Sequence, residues 1–108
     1  MLYIVTLSYR GAAAEREKHS AGHKSWLVEH IKTGEVVLAG PLENQQGGVV
    51  LFLASDEQAV RDRLTEDPFV ALGLVDVAVT GVHPALVSSV FDADWGSETK
   101  VVDMAHRA

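Results

Sequence analysis

Two side chains in this sequence are of the types that move protons. His23 lies on the apolar side of a helical stretch, at the head of the run HKSWLVEHIKTGEVVLAGP that ends at Pro41. Asp67 is the acid of the later triplet Asp67-Pro68-Phe69. An imidazole titrates near neutrality, so it can take a proton and return it under physiological conditions. A buried carboxylate partner fixes its tautomer and makes it the better base. Each residue also has a plainer explanation. A histidine can pack at the edge of a helical stripe, and an aspartate before proline can serve only to end a helix. The two roles of Asp67 are compatible, because one acid can stop a helix and face a cleft.

Other residues stand near these two in the chain. Gly40-Pro41 is expected to frame a pocket wall, or else only to end a strand. Trp26 is either core or a surface on which a ligand stacks. Glu15, His19 and His23 fall at i, i+4 and i+8, which a helix would stack on one side. Two histidines at i, i+4 can hold zinc. The segment His19-Ser20-Ala21-Gly22-His23 lacks the glutamate of the HExxH pattern, and Gly22 loosens the helix between the ligands, so no metal is expected. His83 and His106 carry no pattern. No GxGxxG, P-loop or GxSxG run is present, which argues against dinucleotide binding, a phosphate cradle and a serine-hydrolase elbow.

The elements that must position these residues follow from periodicity. Residues 2–9, rich in β-branched and aromatic types, predict a first strand. Residues 12–33 predict one long helix with Trp26, Leu27 and Ile31 on its apolar face and a weak point or kink at Gly22. Gly34 closes it. Residues 35–39 predict a second strand ended by Gly40-Pro41. A hairpin with paired glycines leads to a third strand over 49–54. Ser55 and Gln58 form a capping box, and a second helix with Ala59, Val60 and Leu64 inward runs to Glu66. Asp67-Pro68 ends that helix. Phe69 to Gly73 is a connection, and 74–80 predict the fourth strand, with Val75, Val77 and Val79 on one face.

The order is β-α-β-β-α-β, an α+β, ferredoxin-like arrangement: an antiparallel four-stranded sheet with two helices on one face. Strands 36–39 and 49–53 carry apolar residues on both faces. The face without helices therefore needs a cover, and a second copy of the chain is the simplest one. Residues 83–108 are a C-terminal extension. Residues 85–91 in it are expected to add a short strand or helix. Residues 92–108 have no period and are expected to order by docking on the partner subunit.

The totals narrow the function classes. A chain of 108 residues holds one core. A net charge of -6 leaves no basic stripe for nucleic acid. There are no cysteines, which removes thiol chemistry and fits a reducing cytoplasm. No apolar run approaches the roughly 20 residues that span a bilayer, and no signal peptide is expected.

With the elements placed, the sequence resembles the YCII-related family of small dimeric α/β-barrel proteins. The residues that carry the resemblance are His23, the run Gly34-Glu35-Val36-Val37-Leu38-Ala39-Gly40-Pro41, then Asp67-Pro68-Phe69 with Gly73 behind it, and the leading strand Met1-Leu2-Tyr3-Ile4-Val5. The resemblance covers residues 1–82. It implies a ferredoxin-like protomer, two protomers paired sheet to sheet, and a cleft holding a histidine and an aspartate that map onto His23 and Asp67. Where many members carry an arginine three residues before the histidine, this chain has Ser20. The glycine-rich hairpin is short, and the tail after Thr80 is longer than is common in the family.

The expected function is a small cofactor-independent enzyme that uses His23 and Asp67 for proton transfer, in a lyase, isomerase or dehalogenation step on a small cyclic or aromatic metabolite. Trp26, Gly40 and Pro41 are expected to contact the substrate. The other expectation is a non-catalytic dimeric module that binds a small ligand.

Overall fold

The structure is a computed structural model that describes residues 1–105; His106, with the end of the C-terminal extension, lies outside the described residues. Four strands, β1 (Leu2–Tyr9), β2 (Val36–Pro41), β3 (Gly47–Leu53) and β4 (Val75–Val82), form one antiparallel sheet of order β2-β3-β1-β4. Alternation sets its two faces. Tyr3, Val5 and Leu7 of β1, Val50 and Phe52 of β3 and Val75 of β4 are buried on one face. There they pack with Trp26, Val60, Leu64 and Phe69 from the helices. Burying each such side chain stabilises the fold by about 1.5–3 kcal/mol. The other face carries Ile4 opposite Leu51, and Leu51 opposite Leu38. Leu38 is exposed and the other two are half-buried.

The helices are α1 (Ala13–Lys32), α2 (Glu57–Leu64) and a short α3 (Pro68–Ala71). The last corrects the expected connection from Phe69 to Gly73: Asp67 caps a helical turn that Pro68, at its first position, is preset to enter. α1 runs unbroken through Gly22. Gly34, at φ +85, closes it as expected. Its inward residues are Trp26 and His30, whereas Ile31 is 47% exposed. The buried stripe thus runs through His23, Trp26 and His30 rather than toward Ile31.

Three local expectations also differ. β2 continues through Pro41, which pairs with Gly48; β2 is an edge strand, where a missing donor is tolerated. Gly47 and Gly48 belong to β3, and the turn before them places Gln45 at φ 62. A Cβ on Gly47 would lie 1.9 Å from the Leu7 carbonyl oxygen, so close strand approach, not the turn, requires this glycine. The N-cap of α2 is Asp56, whose carboxylate accepts the Ala59 N–H at 2.8 Å, in place of Ser55.

Beyond β4, β5 (Leu86–Ser88) and β6 (Lys100–Val102) pair as a separate parallel ribbon. The stretch expected to lack regular structure therefore contains one strand. No helix among the described residues is long and apolar enough to cross a membrane.

Candidate active site

His23 and Asp67 meet. His23 Nδ1 lies 2.8 Å from Asp67 Oδ1, across 44 positions of sequence. Each is placed by a local rule. His23 sits three residues before Trp26 on α1, so it shares the face that packs on the sheet. Asp67 precedes a proline, which disfavours the helical region there; two residues past the Thr65 C-cap of α2 its ψ of 124 is extended, and its carboxylate caps α3 by accepting the Phe69 N–H at 3.1 Å. The same oxygen faces His23 and Phe69 N. The other, Asp67 Oδ2, is buried with no hydrogen-bond partner among the described residues. An orphaned buried acceptor costs about 1–3 kcal/mol, so stability alone is a poor reason for this carboxylate.

The imidazole is held on its faces as well as at its edge. The Phe69 ring stacks on it at 4.1 Å with planes 4° apart. With Nδ1 turned to Asp67, Nε2 has no protein partner among the described residues. His23 lines an open cavity of about 450 Å³, large enough for a single-ring metabolite. The walls are mostly apolar, with Leu7, Leu27, Ala39, Val50 and Phe69 among them. The polar side chains are Tyr9, Ser20, His23 and Lys24. No carboxylate among the described residues lines the cavity, although acids outnumber lysines and arginines 15 to 9 in the chain.

The comparisons with known proteins agree with this architecture. The model of the YCII-related domain matches residues 1–82. The chain belongs to the YCII-related family. Among solved structures, it is similar to 5-chloro-2-hydroxyhydroquinone dehydrochlorinase (TftG) from Burkholderia phenoliruptrix AC1100, in complex with 2,5-dihydroxybenzoquinone. That match has a TM-score of 0.65 and 21% identity, and covers 78% of this chain and 95% of the other. Muconolactone isomerase matches with a TM-score of 0.64 and 17% identity, over 76% of this chain and 88% of that one. Both matches show a shared fold, the ferredoxin-like α+β arrangement of an antiparallel four-stranded sheet with helices on one face. No curated protein matches the chain.

Within the YCII-related domain, Gly40 and Pro41 line the cavity beside His23. Gly40 has no side chain, and a Cβ there would meet nothing within 4 Å, so the wall is open at this point. Trp26 does not line it. The indole is 5% exposed and its N–H donates to the Arg63 carbonyl at 3.1 Å, so Trp26 is core and not a stacking surface for a ligand. Glu15 and His19 stay apart from the His23 pair: Glu15 bonds Lys18 at 2.9 Å, and no cluster of three or more His, Asp or Glu able to hold a metal occurs among the described residues.

Sequence reasoning left three cavity residues without a role: Tyr9, Lys24 and Phe69. Phe69 stands in the DPF triplet, and its stacking on His23 follows only once α3 is known to fold back on α1. Lys24 makes no ion pair or hydrogen bond among the described residues. The helix itself carried that signal, because positions 20, 21, 27 and 28 hold no acid to pair with it. Ser20 is a weaker donor, since its hydroxyl donates to the Glu17 carbonyl at 3.0 Å. Tyr9 is steadied at the cavity rim by Arg16, whose guanidinium carbon lies 4.2 Å from its ring centroid.

Proposed function

We propose that this YCII-related domain is a small enzyme of proton transfer, acting as a homodimer on a small cyclic or aromatic anion. The observation that carries the reading is the fully buried Asp67 carboxylate set 2.8 Å from Nδ1 of a histidine that lines an open cavity. A carboxylate there keeps the proton on Nδ1 and leaves Nε2 as the base. Nε2 takes a proton from carbon or oxygen of the bound ring. In an isomerisation it returns that proton at another atom of the same molecule. In a dehydrochlorination the electrons of the broken C–H bond form the new double bond, chloride leaves with the C–Cl pair, and the imidazolium passes its proton to water. The similarity to a dehydrochlorinase and an isomerase supports a ring substrate. Among the described residues Lys24 is unpaired and no acid lines the cavity, which favours a negative charge on that substrate.

The test is proton exchange. Hydroxyquinones and unsaturated lactone acids are incubated with the protein in D2O and followed by proton NMR. Exchange that falls at least ~100-fold in His23→Ala supports the reading. Tight binding with no exchange, equal in wild type and His23→Ala, moves the protein to the second reading, a binding module without catalysis. That reading draws on one observation: Asp67 already has a structural task in capping α3. Neither binding nor exchange would remove this class of substrate.

A further inference from the structure

α1 carries a second enclosed histidine two turns beyond His23. His30 is 7% exposed, and both of its ring nitrogens face carboxylates. Nδ1 lies 3.1 Å from Glu35 Oε1, and Nε2 lies 3.2 Å from Glu66 Oε2. A neutral imidazole has one N–H and one lone pair, so it can donate to only one of these acids. The other contact would then set a lone pair against an anion. Donation to both requires the imidazolium.

The surrounding charges agree. Glu35 precedes β2, and Glu66 lies at the junction of α2 and α3. Behind them Arg63 of α2 places Nε 2.8 Å from Glu35 Oε2 and Nη1 3.9 Å from Glu66 Oε1. Thr33 Oγ1 is 3.0 Å from Glu35 Oε1. Two carboxylates and one guanidinium leave one negative charge, which an imidazolium at His30 balances. On α1 the neighbour is Trp26, edge-on to His30 with ring centroids 5.3 Å apart and 6.3 Å from His23 on its other side.

The same junction supplies both partners. Glu66 takes His30, and the next residue, Asp67, takes His23. Two histidines seven positions apart on one helix face are gripped by two consecutive acids, with Trp26 between the rungs and its N–H on the Arg63 carbonyl. We propose that His30 is a positioning residue: held as an imidazolium between Glu35 and Glu66, it locks the α2–α3 junction onto α1 and so sets Asp67 against His23. The proposal rests on the His23–Asp67 reading of the site.

The test is nitrogen NMR of the histidine rings in the full-length protein, with each histidine assigned by substitution. In wild type at neutral pH both His30 nitrogens carry protons, and His23 holds its Nδ1 proton against solvent. In His30→Gln the protein stays folded by circular dichroism, but the His23 Nδ1 proton exchanges roughly tenfold faster, a local loss of protection. Glu66→Gln gives the same change and stands in if His30→Gln does not fold. Glu35→Gln, which keeps the Glu66 rung, leaves the His23 signal protected. A singly protonated His30, or His30→Gln and Glu66→Gln proteins with an unchanged His23 signal, would overturn the proposal. An unprotected His23 proton in wild type would instead overturn the His23–Asp67 reading itself, whatever the state of His30.

Discussion

Gly22 faces Pro68 where the two halves of the candidate site meet. A Cβ on Gly22 would lie 3.2 Å from Pro68 Cγ, tighter than ordinary packing. Gly22 adjoins His23 and Pro68 adjoins Asp67, so the missing side chain is what lets α3 settle close enough for the two to bond at 2.8 Å. The glycine that looks like a weak point in the helix is therefore a contact surface, and the helix runs through it without a break.

This makes Gly22→Ala informative, because its two effects oppose. Alanine gains up to ~1 kcal/mol of helix propensity. Its methyl must push Pro68, and with it Asp67, back by a few tenths of an ångström. Thermal melting is expected to change little or to rise, while proton exchange on a hydroxyquinone falls. A variant that is both more stable and fully active would show that the close approach is not needed.

Asp67→Asn separates orientation from stability. One atom, Oδ1, meets both His23 Nδ1 and the Phe69 N–H. An asparagine that turns its amide to that place donates to His23 Nδ1, drives the proton to Nε2, the wrong tautomer for a base, and loses the cap of α3. If it keeps its oxygen there, the cap survives, but His23 faces a neutral acceptor in place of a carboxylate. Losing a cap costs about 1 kcal/mol, and removing a buried carboxylate with one orphaned oxygen offsets part of that. The expected result is a melting temperature close to wild type with proton-transfer activity down by 10² to 10⁴, on the order of a lost base. Kinetics and melting on one preparation decide it, and retained activity would sink the orienting role.

How far the sequence reveals this arrangement depends on the range of the interaction. The strand and helix order follows from local periodicity, and the Asp67-Pro68 stop follows from proline sterics. What the periodicity misplaces are features set by distant partners. His30 is polar, so an apolar stripe passes over it to Ile31, although the carboxylates of Glu35 and Glu66 make the inner position suit a histidine. Gly47 reads as a turn residue until the Leu7 carbonyl is seen against it. Trp26 reads as either core or a ligand surface, and Arg63, by accepting its N–H, decides for core. In each case the deciding neighbour lies in another element or a turn away, beyond the reach of composition and spacing.

The face of the sheet away from the helices gives the third prediction. Leu51 sits between Ile4 and Leu38 there, an apolar row that the described residues leave partly exposed, Leu38 most of all. A second copy laid on this face would bury it. The solution mass is then expected to be twice the 11.6 kDa of the protomer, by light scattering. Leu51→Lys would place an unpaired cation at the centre of that contact, at a cost of several kcal/mol, and shift the mass toward one protomer. A wild-type monomer at all concentrations would remove the pairing.

The His30 network predicts a pH dependence of a definite sign. The guanidinium of Arg63 hydrogen-bonds Glu35 and, with the donors of His30 and Thr33, lowers its pKa from 4.5 to about 2. A carboxylate whose pKa is depressed in the folded state contributes stability above its unfolded pKa. That contribution is lost as pH falls from about 4.5 toward about 2. In this window the unfolded chain binds a proton at Glu35 that the native chain does not, so unfolding takes up to about one proton there. Solvent screens the pair, since Glu35 is only partly covered, and the free energy is smaller than the full shift implies. Glu35→Gln cannot ionise and lacks this uptake. Urea unfolding of the two proteins across the acid range is expected to show a shallower loss of stability below pH 4.5 in Glu35→Gln, with the gap between the curves closing as the wild-type carboxylate protonates. Parallel curves down to pH 2 would mean that Arg63 does not hold Glu35 in solution.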